Sequence, residues 1–174
     1  SLGTSEDVAT WRKVLGSQSY QIQGRFYPLN QFRDMNLMPY SLGETILKRN
    51  SARRFSQEAI SVSQFSAIVH SSTHGIPTDI LEPGLASLLD IYIIINAVKG
   101  LPPGSYFFSG QHRGIELLEE GHFREQAGHL CFEQALGADA SAVLFLLADL
   151  EKILNRYGNR GYRAAQLEAG IVGG

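Results

Sequence analysis

Apolar and polar positions recur along this chain in patterns that predict helices and strands from residue 41 onward. The segment Ser41-Leu-Gly-Glu44 fits a capping box and predicts a helix that ends near residue 49. A second box, Ser61-Val-Ser-Gln64, predicts a helix through residue 71, with apolar residues at the spacing of one buried face. Both helices should therefore begin at caps that their own sequences supply.

Four strands are predicted after these two helices. Residues 90–97 are β-branched and almost continuously apolar, which is typical of a strand buried on both faces. Turn residues separate this segment from strands predicted over 105–109 and 114–118, so the three should form an antiparallel meander. A further buried strand is predicted over 142–148.

Two more helices are predicted in the second half of the chain. One covers residues 123–136 and ends at Gly137. The other covers residues 149–157, with Asp149 as its N-terminal cap and Gly158 directly after its end.

These patterns divide the chain into two regions. Residues 1–40 show weak periodicity, and we interpret them as an N-terminal arm or interdomain linker. Residues 41–174 combine helices with mostly antiparallel strands, which indicates one α+β domain. A chain of 174 residues is long enough for one domain with its own core.

The closing run is Tyr157-Gly-Asn-Arg-Gly-Tyr-Arg-Ala-Ala-Gln-Leu-Glu-Ala-Gly-Ile-Val-Gly-Gly174, a polar turn followed by a helical pattern. One face of this helix carries Ala165, Ala169 and Val172, and another carries Gly170 and Gly173. Small residues let neighbouring helices approach closely, so the pattern predicts a packed helix. Because the pattern has no terminator, we expect the domain to be incomplete at its C-terminus.

Charge and composition limit the kinds of molecule that the protein is expected to bind. The 15 Lys and Arg residues nearly balance the 17 Asp and Glu residues, which predicts no nucleic-acid or anionic membrane partner. No stretch is long and apolar enough to cross a bilayer, and the first residues do not resemble a signal peptide, so we expect a cytoplasmic protein. The single cysteine, Cys131, excludes an intramolecular disulfide and a multi-cysteine zinc site, and no metal site is predicted.

The densest polar cluster is Lys48-Arg-Asn-Ser-Ala-Arg-Arg-Phe55, at the end of the first predicted helix. One interpretation is that its cations only oppose the helix dipole. The other is an anion site, because Arg49 and Arg53 are four residues apart and Ser51 adds a hydroxyl between them. No glycine-rich loop follows a strand, so neither a Walker A motif nor a dinucleotide fingerprint accounts for such a site.

Three segments in order resemble one family. The cluster 48–55 resembles the N-terminal signature of nitroreductases, typically Arg-Arg-Ser-x-Arg-x-Phe. The segment Gly100-Leu-Pro-Pro-Gly-Ser-Tyr106 resembles a segment of SagB-type dehydrogenases within that superfamily, and the closing run resembles their Tyr-Gly-x-Arg-Gly-Tyr-Arg block. Together the matches span residues 41–174, which would be the N-terminal part of the domain.

The resemblance implies a nitroreductase-like fold with a mostly antiparallel sheet flanked by helices. It also implies an enzyme that uses flavin mononucleotide (FMN) and works as an intimate homodimer or as fused tandem halves. The helix beginning near Tyr162 would be the long central helix of the dimer interface. By position, Arg49, Ser51 and Arg53 would hold the phosphate and ribityl chain of FMN, and Asn50 occupies a neighbouring contact position.

The resemblance also implies a catalytic pair. In related azoline oxidases a Lys-Tyr pair before the closing block is linked to proton abstraction from the substrate. Tyr157 matches the tyrosine, and Arg156 stands where lysine is expected. Arginine stays protonated, so Arg156 does not match a general base. A second departure is Glu82-Pro-Gly-Leu-Ala-Ser87, where the family carries a Pro-Ser-x-Gly loop near the flavin ring.

Two functions fit these residues. The first is a SagB-like, FMN-dependent oxidoreductase that transfers hydride through the flavin to or from a small-molecule or peptide substrate. The alternative is a catalytically degenerate flavin-fold domain that serves as a dimerisation or scaffolding module, which Arg156 and the altered loop favour.

Overall fold

A computed structural model of the chain describes residues 21–29, 41–73 and 87–174. The strands in this part are β1 (Phe26–Pro28), β2 (Ile60–Ser61), β3 (Leu89–Ile95), β4 (Val98–Lys99), β5 (Gly104–Ser109), β6 (Gly114–Glu120) and β7 (Ala142–Ala148). The helices are α1 (Leu42–Lys48), α2 (Val62–Thr73), α3 (Arg124–Leu130), α4 (Ala135–Asp139), α5 (Leu150–Tyr157) and α6 (Asn159–Gly173). None of these helices is long and apolar enough to span a membrane.

Five of the strands form one antiparallel sheet in the order β1-β6-β5-β3-β7. The predicted meander β3-β5-β6 is confirmed, and β7 pairs with the other edge of β3. Strands β2 and β4 form a separate two-stranded parallel pair. The interior position of β3, with a hydrogen-bonded neighbour on both sides, suits its β-branched composition.

Helices α2 and α6 cover one face of the sheet. Phe65 and Val69 of α2 are buried in one cluster with Ile93, Tyr106 and Ile115 of the sheet, and α6 adds Val172 at its edge. The Tyr106 hydroxyl donates to the backbone oxygen of Pro102 at 2.6 Å, so this buried side chain also fixes the turn before β5. The main core thus lies between the sheet and these two helices.

The opposite face of the sheet is less covered, which corrects one prediction. Along β3 the exposed residues Asp90 and Tyr92 alternate with buried ones, and Tyr92 is 37% exposed. Tyr92 packs edge to face on Phe107 of β5, with ring centroids 5.3 Å apart. The prediction of burial on both faces is therefore wrong for the first half of β3. A continuous apolar run does not reveal whether anything covers its second face.

Local capping signals predict the starts of two helices correctly. The Ser41 hydroxyl accepts a hydrogen bond from the Glu44 amide at 3.3 Å, and the Glu44 carboxylate accepts from the Ser41 amide at 2.9 Å. Ser61 and Gln64 exchange the same pair of bonds at 3.1 and 2.8 Å. Both predicted capping boxes are confirmed.

The prediction of a single helix over 123–136 is wrong. The chain forms α3 and α4 instead, because Phe132 and Glu133 adopt left-handed backbone conformations with φ of 60° and 58°. Gly137 does not end a helix but lies inside α4, where a Cβ would be 2.7 Å from the Cys131 sulfur. Its role is to let α4 approach α3, which only the tertiary structure reveals.

The segment before residue 30 packs on the sheet through a buried carboxylate. Glu116 of β6 is 3% exposed, and its Oε1 atom accepts hydrogen bonds from the backbone amides of Gln23, at 2.8 Å, and Gly24. Strand β1 pairs with β6 directly after this contact, and Leu29 enters the main core. The domain boundary at residue 40 stays a prediction, because 30–40 lie outside the described residues.

Replacing Glu116 with alanine should detach this segment. Two backbone donors would lose a buried acceptor, which should cost about 2 kcal/mol of the free energy of unfolding. Urea denaturation would measure the loss, and amide hydrogen exchange should show Gln23 and Gly24 losing protection. Glu119→Ala is the matched control, because Glu119 is an exposed carboxylate on the same strand. Equal effects of the two changes would contradict the anchoring role.

Candidate functional site

The predicted phosphate-binding residues lie at the C-terminal end of α1. The Arg49 amide donates to the Thr45 carbonyl at 2.9 Å and so closes the last turn of the helix. Arg49, Ser51 and Arg53 are all exposed. Among the described residues, neither Arg49 nor Arg53 forms an ion pair with a carboxylate. Their guanidinium groups are therefore accessible to an anion from solution.

The side chain of Asn50 has a partner within its own chain. Its amide Nδ2 donates to the Lys48 carbonyl at 3.1 Å. This bond satisfies one carbonyl at the end of α1. Asn50 can thus fix the shape of the segment, and its side-chain oxygen remains an acceptor.

The segment after these residues is tied to the α4–β7 region and the two-stranded pair. Gln57 Nε2 donates to Asp139 Oδ1 at 2.5 Å, and Ser141 Oγ donates to the Glu58 carbonyl at 2.8 Å. The Ile60 amide then donates to the Ala97 carbonyl at 3.2 Å. The basic segment is consequently held at both ends, by α1 on one side and by the sheet region on the other.

The predicted catalytic pair lies at the end of α5. Asp149 caps this helix by accepting from the Lys152 amide at 3.1 Å, as predicted. Tyr157 packs against a second core cluster formed by Leu89, Ile153 and Ala165. Burial raises the pKa of the Tyr157 hydroxyl, and the neighbouring Arg156 guanidinium opposes that rise in part. Tyr157 is protonated at neutral pH, as an unperturbed tyrosine also is, so its hydroxyl has a proton to donate.

The Arg156 guanidinium contacts the Tyr157 ring and has hydrogen-bond donors without an acceptor among the described residues. Its guanidinium carbon lies 5.8 Å from the centroid of the Tyr157 ring. Its Nε and Nη2 atoms are buried, and no residue in the described part of the chain accepts a hydrogen bond from them. Buried donors of this kind are costly unless an acceptor is supplied. Arg156 thus fits a ligand or a further segment that brings an oxygen or nitrogen acceptor.

The closing helix begins three residues earlier than predicted. Gly158 ends α5 with φ of 58°, and α6 starts at Asn159 rather than near Tyr162. Gly161 lets the two helices meet, because a Cβ there would lie 2.6 Å from Ile153 Cγ2 and 2.7 Å from Tyr157 Cβ. The position of Tyr157 therefore depends on the absence of a side chain at residue 161.

The two predicted faces of α6 have different surroundings. Ala165 is buried in the second cluster, and Ala169 packs against its edge. Gly170 and Gly173 lie on the other face, where an added Cβ would have no described atom within 4 Å. Packing of the alanine face is confirmed. The role of the glycine face in a dimer remains a prediction.

One polar contact of α6 is not among the sequence predictions. Glu168 accepts hydrogen bonds from Ser87 Oγ at 2.5 Å and from the Leu88 amide at 2.9 Å. A lone carboxylate among Ala and Gly residues on a packed helix is the sequence signal that could have indicated it. Of the altered loop 82–87, only Ser87 lies within the described residues. Within the part of the chain described, no three His, Cys, Asp or Glu side chains are grouped so that they could hold a metal ion.

Comparison with known proteins links this architecture to a family. The chain is 26% identical over 141 residues to a protein of Methanocaldococcus jannaschii named "putative nitroreductase", a match that covers 75% of this chain and 68% of that protein. A crystal structure of a "putative nitroreductase" from Anabaena variabilis superposes with a TM-score of 0.65 at 27% identity. No family model matches the chain. The chain is nitroreductase-like.

This nitroreductase-like architecture confirms the predicted fold class, an α+β fold with an antiparallel sheet flanked by helices. The structural match covers 74% of this chain and 28% of the Anabaena chain. The chain therefore spans less than a third of the length of that solved relative.

Replacing Gly161 with alanine should separate α5 from α6 and displace Tyr157. Because the new Cβ would contact Ile153 and Tyr157 far inside normal distances, the change should cost about 1–3 kcal/mol. Gly43→Ala, in helix α1, where an added Cβ would have no described atom within 4 Å, should instead be neutral or stabilise by up to about 1 kcal/mol. Thermal unfolding of both variants measures the difference, and a similar loss in both would contradict the packing argument.

Proposed function

We propose that the chain is part of an FMN-dependent oxidoreductase of the nitroreductase type, related to SagB-type dehydrogenases. The observation that carries this proposal is the exposed cluster at the end of α1. Arg49, Ser51 and Arg53 lie there together in a nitroreductase-like fold, with no carboxylate among the described residues paired to either arginine. Planar guanidinium groups and a hydroxyl suit phosphate oxygens.

The residues present fit a bound flavin phosphate. Arg49 and Arg53 would bind the phosphate with charge-assisted hydrogen bonds, and Ser51 would add a neutral donor. Asn50 would keep the segment in shape through its bond to the Lys48 carbonyl and would offer its side-chain oxygen to the ribityl chain. The buried donors of Arg156 fit an additional acceptor on the ligand side.

FMN, when bound, would supply hydride transfer to or from a small-molecule or peptide substrate. The chain itself would bind and orient FMN and the substrate, and its side chains would transfer protons. Tyr157 would donate a proton to the substrate from its hydroxyl, which is protonated at neutral pH. Arg156 would act through its fixed positive charge beside Tyr157 rather than as a base.

The proposed assembly is a homodimer or a pair of tandem domains in the cytoplasm, with no nucleic-acid or membrane partner. The glycine face of α6 supports it, since Gly170 and Gly173 carry no side chains that would keep a second helix at a distance. The near balance of charge supports the absence of a nucleic-acid partner.

A second candidate is a degenerate flavin-fold domain that only dimerises or scaffolds. Arg156, in the position where the resemblance expects lysine, favours it, because an arginine cannot accept the proton that a base would remove. Flavin binding separates the two candidates at once. A chain that never binds FMN would support the scaffolding role.

Titration of FMN into the purified protein tests the phosphate site. The wild-type chain should quench flavin fluorescence, and Arg49→Ala should weaken binding about tenfold to a hundredfold, since it removes charge-assisted hydrogen bonds of about 1.5–3 kcal/mol. Arg113→Ala, which removes another exposed arginine, should leave the affinity unchanged. Equal losses in the two variants would refute the assignment, and no quenching by the wild type would refute the flavin proposal itself.

Replacing Tyr157 with phenylalanine tests the proton donor. Turnover of a nitroaromatic acceptor such as p-nitrobenzoate, with NADH or NADPH as donor, should fall about a hundredfold because the hydroxyl is lost. The FMN dissociation constant should not change, since the ring and its packing remain. Stopped-flow and steady-state absorbance give the rates. Unchanged turnover would show that Tyr157 moves no proton.

A further inference from the structure

Glu168 joins two parts of the domain that are 80 residues apart in sequence. Its two carboxylate oxygens are both used, Oε1 by the Ser87 hydroxyl at 2.5 Å and Oε2 by the Leu88 amide at 2.9 Å. Ser87 Oγ also accepts from the Leu89 amide at 3.0 Å. The carboxylate of α6 and the Ser87 hydroxyl thus hold the backbone that leads into β3.

The backbone at Leu88 and Leu89 carries side chains that belong to the same packed cluster as Tyr157. Leu89 is 7% exposed and belongs to the second core cluster, and Leu88 packs against that cluster from outside. Tyr157 packs against the same cluster from the end of α5. Ala165 and Ala169, which flank Glu168 on α6, belong to this cluster and to its edge. The residues that Glu168 holds and the ring of Tyr157 therefore share one packed unit.

We propose that Glu168 is a positioning residue for Tyr157, acting by fixing Ser87 and Leu88 against the cluster in which the tyrosine packs. The inference rests on the proposed function for its catalytic meaning, because Tyr157 is the proton donor there. The contact itself does not depend on FMN, since both of its sides belong to the chain.

Three variants separate this role from general support of the fold. Glu168→Ala removes both acceptors. Glu168→Gln keeps one oxygen for the Leu88 amide and places an NH₂ group opposite Ser87, so it should rescue part of the effect. Ser87→Ala removes only the hydroxyl and is the variant to use if Glu168→Ala does not fold. Glu151→Ala, an exposed carboxylate on α5, is the matched control.

The experiment combines four readouts on the full chain: hydrogen exchange, the Tyr157 ring resonance, turnover and the FMN dissociation constant. Hydrogen exchange at Leu88 and Leu89 reports the contact, and the ring resonance of Tyr157 in protein labelled with ¹³C-tyrosine reports its environment, assigned by its loss in Tyr157→Phe. Turnover of p-nitrobenzoate reports catalysis. Glu168→Ala should speed exchange at Leu88 at least about tenfold, which corresponds to about 1.4 kcal/mol. It should also shift the Tyr157 resonance and lower kcat while the FMN dissociation constant stays near wild type.

The outcomes are distinct. Faster exchange at Leu88 with an unchanged Tyr157 resonance and unchanged kcat would overturn the positioning role, and so would equal effects of Glu168→Ala and Glu151→Ala. If the wild-type chain binds no FMN, the proposed function is wrong. In that case the exchange and resonance measurements would still decide whether Glu168 positions Tyr157.

Discussion

Helix α6 can lie against α5 only because residue 161 has no side chain. A Cβ there would be 2.6 Å from Ile153 Cγ2 and 3.0 Å from the Ile153 carbonyl oxygen, and neither the backbone nor a buried isoleucine can move easily. This approach brings Ala165 into the second cluster and Val172 to the edge of the main core. The same helix then presents Glu168 to the start of β3. One tightly packed helix therefore positions both the candidate catalytic end of α5 and the start of strand β3.

Features set by neighbouring residues can be predicted from the sequence, and features set by distant residues cannot. The N-terminal caps of α1, α2 and α5 each join two residues that are three apart, so a segment of four residues contains the whole capping motif. The break between α3 and α4 escapes prediction because Gly137 is needed for contact with Cys131, not for a helix end. The exposure of Tyr92 escapes it because an apolar run looks the same whether one or both faces are covered.

The residues of the candidate site also differ in how far the sequence alone predicts them. The basic segment 48–55 is contiguous, so its residue types alone are enough to suggest an anion site. Glu168 is different, because its meaning comes from a hydrogen bond to a residue 80 positions away. Tyr157 is predicted from the sequence only in part. Its identity is visible in a motif, whereas the raised pKa of its hydroxyl depends on packing that the motif does not encode.

We propose an anion site, rather than simple helix capping, for the basic residues at the end of α1. A helix C-terminus carries about half a negative charge on its last carbonyls, so cations are expected there without any ligand. Here, however, the Arg49 backbone amide satisfies the Thr45 carbonyl and the Asn50 side chain satisfies the Lys48 carbonyl. Two of the carbonyls that a guanidinium could cap are thus already occupied. The helix dipole would oppose a phosphate at this end, so its binding would rely on the charges of Arg49 and Arg53. Because the proposed site would depend on two side chains rather than on the backbone, loss of a single arginine should weaken it strongly.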